Sequence, residues 1–214
     1  MNKIKKSILG VFTLVVTLFV TTAFIISDPK ADYTNQSIRL GDQVLLSEIT
    51  TKNKALGVFK TALKFKQKKY EGKTKEFYGQ QITIAENPQV DKILVGVTNN
   101  LISRIEIWNQ NKLIKTKELG FMGKMTWGAT HTMTVEFYDQ TNEKYKGKSK
   151  ISMRFYNGTG FLGDIGTINF ELSDYGNFSG EKTIGVFAKG IDSKMINRPD
   201  FLDFKIWKNY RSFD

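Results

Sequence analysis

The chain has 214 residues, 40% of them hydrophobic and 13% aromatic, which excludes a disordered spacer and leaves enough apolar material for a substantial core. It has no cysteine and a single histidine, so disulfide stapling, a lipid-modified cysteine and the usual zinc ligand sets are excluded. The formal net charge is +11, and a basic chain is drawn to polyanions.

Three lysines, Lys3, Lys5 and Lys6, precede Ser7 to Ile26, a run without a single charge. As a helix this run would measure about 30 Å, close to the hydrocarbon thickness of a bilayer. The basic flank directs the N-terminus inside, so the run reads as a signal peptide or as an N-in membrane anchor. Cleavage would follow Ala31 or Ala23, and neither is a clean small-x-small site, so both forms stay open. In either form residues 32–214 are expected to be extracellular, secreted or held at the cell surface. Their net charge is +8, from 28 Lys plus Arg against 20 Asp plus Glu. Export without cysteine, and richness in Lys, Asn and Ile, suit a Gram-positive bacterium.

Beyond Ala31 the pattern is of short alternating runs separated by Gly, Asn and Asp, which predicts an all-β antiparallel sandwich preceded by one N-terminal apolar helix. Ser37 to Ile49 is the first run. Val58 to Tyr70 fits two templates. Leu56, Phe59 and Leu63 match a basic amphipathic helix, whereas Lys60, Lys64, Lys66 and Lys68 fall on one face of a strand with Leu63 and Phe65 on the other. With Glu71-Gly72 as a turn and Glu76 to Glu86 extended again, the expectation is a hairpin. Nine lysines lie between Lys52 and Lys75 against one acid, Glu71. Lys60, Lys64, Lys66, Lys68, Lys69, Lys73 and Lys75 are therefore the candidate polyanion-binding residues, the competing reading being a solvated strand edge.

Further strands are expected at Asp91 to Val97, Ile102 to Trp108, Lys112 to Glu118, Thr130 to Tyr138 and Ser149 to Tyr156. Within them, Ser103-Arg-Ile-Glu-Ile-Trp-Asn-Gln-Asn-Lys-Leu-Ile114 resembles the central hairpin of bacterial Ig-like domains. Thr130-His-Thr-Met-Thr-Val-Glu-Phe-Tyr-Asp139, preceded by Trp127 and followed by Asn142, is similar to the strand and turn that come next in that family. The resemblance covers residues 82–157 and implies an Ig-like centre with a spacer or ligand-binding role. Val97-Thr-Asn-Asn-Leu-Ile102 lacks the Asp-rich loop often found before that hairpin. Gly158, Gly160, Gly163 and Gly166 make 157–166 a candidate boundary, after which Ile165 to Ser173, Glu181 to Lys189 and Phe201 to Lys208 read as strands.

No catalytic constellation stands out. His131 has no second histidine to work with, and a lone strand histidine is usually structural. Glu106, Glu136, Asp139, Glu171 and Asp174 lie near strands without forming a recognisable acid pair. Asp139 with Asn142 and Glu143, or Asp174 with Asn177 and Glu181, offer oxygen ligands at spacings that match no known calcium loop. Trp108, Trp127 and Trp207, with Phe155, Phe187 and Phe204, are assigned to the core, the alternative being an exposed strip for stacking sugars.

The expectation is therefore a non-enzymatic binding module at or near a bacterial surface, needing no cofactor or metal. Its partners would be an anionic cell-wall polymer, an anionic lipid or a surface protein. Sequence-specific nucleic acid is excluded, and the membrane is touched through the N-terminal segment if that is uncleaved. A secreted membrane-damaging toxin is the alternative, and a glycan-active enzyme comes third.

Overall fold

The computed structural model describes residues 30–36, 48–55, 57–66, 76–98, 100–121, 128–141, 147–157, 164–189 and 200–208. Among the described residues there are twelve strands: β1 Tyr33–Gln36, β2 Glu48–Ala55, β3 Phe59–Lys66, β4 Phe77–Ile84, β5 Lys92–Thr98, β6 Ile102–Asn109, β7 Lys112–Phe121, β8 Thr130–Tyr138, β9 Lys150–Asn157, β10 Asp164–Glu171, β11 Lys182–Lys189 and β12 Asp200–Lys208. They form two six-stranded sheets, every pairing antiparallel, ordered β1-β12-β3-β8-β9-β10 and β2-β11-β4-β5-β6-β7. The expected all-β sandwich is the observed one. Strands that follow Asn157 enter both sheets: β10 and β12 in the first, β11 in the second. The apolar run Ser7 to Ile26 and the strand expected from Ser37 lie outside the described residues, apart from the end of that strand in β2.

Period-2 alternation decides which side chains meet between the sheets. On β3, Phe59, Thr61, Leu63 and Phe65 are buried while Ala62 and Lys64 are less so and Lys66 is exposed. Tyr78, Ile82 and Ile84 of β4, Ile93, Val95 and Val97 of β5, and Ile105 and Ile107 of β6 face them in one continuous core. Rings cross the gap: Phe65 of the first sheet meets Tyr78 of the second edge-on at 5.7 Å between centroids. Each such side chain contributes roughly 1.5–3 kcal/mol by leaving water. Polar contacts cross too. The Thr61 hydroxyl donates to Oε1 of Gln80, whose amide donates to the Met133 carbonyl at 3.1 Å, so both buried groups are satisfied.

The hairpin expected across Lys52–Lys75 is not formed. Residues 59–66 and 77–84 are strands, as the alternation indicated, but β3 belongs to the first sheet and β4 to the second. Each strand has an apolar face that must be buried, and placing them in opposite sheets lets both faces meet in the core. β3 is consequently a central strand, paired with β12 on one side and β8 on the other, not an edge.

The hairpin Ile102 to Ile114 does form, as β6–β7. Its two turn residues, Gln110 and Asn111, have φ of 48° and 63°, the positive values that a two-residue type I′ connection needs. The Gln110 amide is pinned by Asp91 Oδ2 at 2.7 Å. The likeness to Ig-like domains holds at the level of an antiparallel sandwich. The strand order is a different one, since β4-β5-β6-β7 is an uninterrupted meander within one sheet, whereas Ig sheets run ABED and CFG.

Candidate functional site

The outward face of the second sheet carries a separate apolar cluster: Phe77 of β4, Leu94 of β5 and Phe187 of β11, with half-buried Trp108 of β6 packed on it. Phe77 and Phe187 meet edge-on at 4.8 Å. These positions alternate with the core-facing residues of the same strands, so they point away from the first sheet. Phe77 is nevertheless 1% exposed and Glu106, on the same face, 4%.

Neighbouring side chains cover them, Arg104 over the Phe77 ring and Lys189 and Trp108 on Glu106, and the sheet itself is bent here. Lys189 of β11 donates to Glu106 Oε2 of β6 at 3.1 Å, although β4 and β5 stand between them. In a flat sheet three strand spacings separate them by about 14 Å sideways, with a further offset of several residues along the strands. That is farther than a lysine and a glutamate reach together, so the sheet curls and this face is concave. A glycine pair helps form the hollow. Gly79 and Gly96 stand opposite each other, and a Cβ on Gly96 would lie 2.1 Å from the Tyr78 carbonyl oxygen.

Within the hollow, polar groups converge on Glu106. Its Oε2 accepts from the Trp108 indole N–H at 3.0 Å as well as from Lys189, and its Oε1 lies 3.5 Å from an Arg104 guanidinium nitrogen. Arg104 also pairs with Glu118 and covers the Phe77 ring at 5.4 Å. Lys189 lies 4.0 Å and Lys92 5.6 Å from the centre of the Trp108 ring. The Arg104 Nε–H is buried without a hydrogen-bond partner. The hollow therefore combines an indole fixed at its nitrogen, a clustered carboxylate and guanidinium, and a donor left open.

Of the aromatic residues expected in the core, Phe155 and Phe204 are fully buried between the sheets and Phe187 is buried in the second cluster, whereas Trp108 is only half-buried against that cluster. Trp207 also points outward, opposite Lys60 on the first sheet, and Trp127 lies outside the described residues. The signal for Trp108 was available, because it shares parity with Arg104 and Glu106 and alternates with Ile105 and Ile107.

The predicted lysine face divides. Lys68, Lys69, Lys73 and Lys75 lie outside the described residues. Lys60, Lys64 and Lys66 share the outward face of β3, each with an acid directly across a strand: Glu136, Asp203 and Asp200. Lys60 and Glu136 approach to 3.8 Å. The carboxylates considered for catalysis are mostly engaged with cations: Glu106 and Glu136 as above, Glu171 with Lys148 at 3.2 Å, and Asp139 with Lys182 at 3.5 Å. The hydrogen bond and charge of Lys148 hold the Glu171 carboxyl below its usual range.

Both calcium candidates have structural uses. Asp139 Oδ1 accepts from the Thr141 amide at 2.8 Å, and Asn177 Oδ1 accepts from the Ser179 amide at the same distance. Among the described residues no cluster of three or more acidic or histidine side chains could hold a metal ion. His131 is fully buried on the inner face of β8, tilted against Phe65 at 5.9 Å.

No protein-family model matches the chain, and no curated protein matches it. Among solved structures it is similar to galectin LEC-6 of Caenorhabditis elegans, at 9% identity over 81% of this chain and 94% of that one, with a TM-score of 0.45. It is similar to lectin II of Ulex europaeus at 12% identity, covering 83% and 99%, with a TM-score of 0.48. A Ruminococcus gnavus sialidase CBM40 bound to α2,3-sialyllactose is similar at 11% identity, covering 86% and 96%, with a TM-score of 0.42. Likeness at this level extends to the two-sheet antiparallel sandwich and carries nothing about ligands.

Proposed function

We propose that the chain is an exported binding module that engages a glycan in the concave face of its second sheet. The observation that carries this reading is Trp108: an aromatic platform in a hollow, its indole nitrogen held by Glu106 and its surroundings supplied by Arg104, Lys189 and Lys92. A sugar ring presents a flat apolar face of C–H groups edged by hydroxyls. The first suits an aromatic plane, and the second suits paired carboxylate and guanidinium groups. A net charge of +8 on residues 32–214 favours a glycan bearing acidic groups. Export by Ser7 to Ile26, and a station at or near the cell surface, belong to the same proposal.

The test is titration of the purified protein with neutral and uronate-bearing oligosaccharides, followed by calorimetry and tryptophan fluorescence. Binding should perturb the indole emission, and Trp108→Ala should abolish it with the fold retained. Full affinity in that variant would refute the proposal, as would binding lost only through unfolding.

A further inference from the structure

Another basic surface lies on the opposite margin of the second sheet from β2, and it contains no lysine of β3. An open cleft of about 440 Å³ is lined by Lys117 of β7, Lys148 and Lys150 at the start of β9, and Asn169 and Glu171 of β10. β7 and β10 are the terminal strands of their respective sheets. The Lys117 ammonium reaches across from one to the other and rests 5.3 Å from the Phe170 ring centre. Lys112 and Lys115 continue the charge along β7, where residues 112–118 are all exposed. Two carboxylates accompany these five lysines. Glu171 is paired with Lys148 and stands in register with Lys150, and Glu118 is taken by Arg104 on the other face of the strand.

We propose that this cleft docks a linear polyanion whose charges are phosphodiesters linking polyol units, a contact separate from the glycan hollow. Three features select that chemistry. The cationic groups lining the cleft are lysines, point charges that suit an oxyanion presented in many orientations. Among the described residues of the lining there is no arginine fork, which would match a planar carboxylate. The charges repeat: alternate residues along a strand are about 6.7 Å apart, so Lys115 and Lys117 on one strand and Lys148 and Lys150 beside another give regularly spaced contacts. Finally, among the described residues the lining holds no aromatic ring on which bases could stack, and Phe170, beside Lys117, is only 7% exposed. Binding of single-stranded nucleic acid without sequence preference draws on such stacking.

The experiment uses the full-length protein and a poly(glycerol phosphate) probe, with dextran, a single-stranded oligonucleotide and anionic lipid vesicles as parallel arms. Affinity for poly(glycerol phosphate) should fall steeply between 50 and 200 mM salt. The variant Lys117→Glu/Lys148→Glu/Lys150→Glu should lose about tenfold or more. Lys60→Glu/Lys64→Glu/Lys66→Glu should change affinity little, and Trp108→Ala should leave it intact. If charge reversal disturbs folding, judged by the melting curve, Lys112→Gln/Lys115→Gln/Lys117→Gln serves instead and should weaken binding severalfold. Equal binding of dextran, an unchanged affinity in the cleft variants, or tighter binding to the oligonucleotide or vesicles would each overturn the proposal. Loss of oligosaccharide binding in Trp108→Ala with polyanion binding preserved would show that the two surfaces act separately.

Discussion

Lys182 offers the most direct test of how the core is held together. It stands in the inward row of β11 with Ile184, Val186 and Ala188, and its side chain and that of Asp139 are both fully inaccessible. The ammonium lies 3.5 Å from Asp139 Oδ2, donates to the Gly180 carbonyl at 2.8 Å, and sits 5.2 Å from the Phe137 ring centre. Lys182→Met keeps most of the volume and removes the charge, leaving the Asp139 carboxylate buried without this cation. Removing one member of a buried pair costs about 3–5 kcal/mol, whereas neutralising both is often near neutral. Lys182→Met/Asp139→Asn should therefore recover most of the loss, with a coupling energy of about 2 kcal/mol or more in the double-mutant cycle. For a body of this size the single variant should melt roughly 6–20 °C lower. Urea denaturation of the wild type, both single variants and the double variant measures the cycle. A cost below about 1 kcal/mol for Lys182→Met, or strictly additive effects, would refute the argument. The pH dependence supplies a second check. Burial lowers the Lys182 pKa from 10.5, with Asp139 opposing the shift. Between the lowered value and 10.5 the unfolded chain binds more protons, so stability gains from this group as pH rises through that window. Lys182→Met should lack that alkaline gain.

Two further outcomes follow from groups near β4. Burial raises the Glu76 pKa to about 6 from 4.5, and its Oε1 has no hydrogen-bond partner. The folded state therefore holds this proton more tightly, and the group's contribution to stability declines as pH rises from 4.5 through 6, by at most about 2 kcal/mol. Glu76→Gln should remove that decline from denaturation midpoints measured across the range, and parallel profiles for variant and wild type would contradict it. Gly96→Ala should cost about 1–3 kcal/mol or more, read from the melting curve, because the new Cβ meets the Tyr78 backbone oxygen at 2.1 Å and not a side chain able to rotate away.

Much of the architecture was legible because strand alternation is a local property. Ile105 and Ile107 against Arg104, Glu106 and Trp108 mark β6 and its two faces from sequence alone. The same rule places Lys182 inward with Ile184 and Val186, against the habit of assigning every lysine to solvent. What alternation leaves open is the partner of each strand. β3 and β4 look like the arms of a hairpin because each is half apolar and a Glu-Gly pair lies between them. That description fits two strands in opposite sheets equally well, since only long-range burial distinguishes the cases. The grouping around Trp108 was hidden for a related reason, because curvature brings Lys189 to Glu106 across two intervening strands.

The same distinction governs the reading of charge. Nine lysines between Lys52 and Lys75 make that segment the most basic stretch of the body, yet linear density says nothing about which acids face it. On a central strand every outward lysine has neighbours on both sides, and β3 meets Glu136, Asp203 and Asp200 there. An edge strand has only one neighbour. On β7, Lys115 and Lys117 pair in register with Ile107 and Ile105, so no acid stands across the ladder to offset them. Lys148 and Lys150, some thirty residues further along the chain, line the same cleft from just before and at the start of β9, next to the terminal strand β10. Where a β-sandwich concentrates positive potential therefore depends on which acids face its lysines: at the β7 margin Lys115 and Lys117 have none across the ladder, while Lys148 and Lys150 share Glu171.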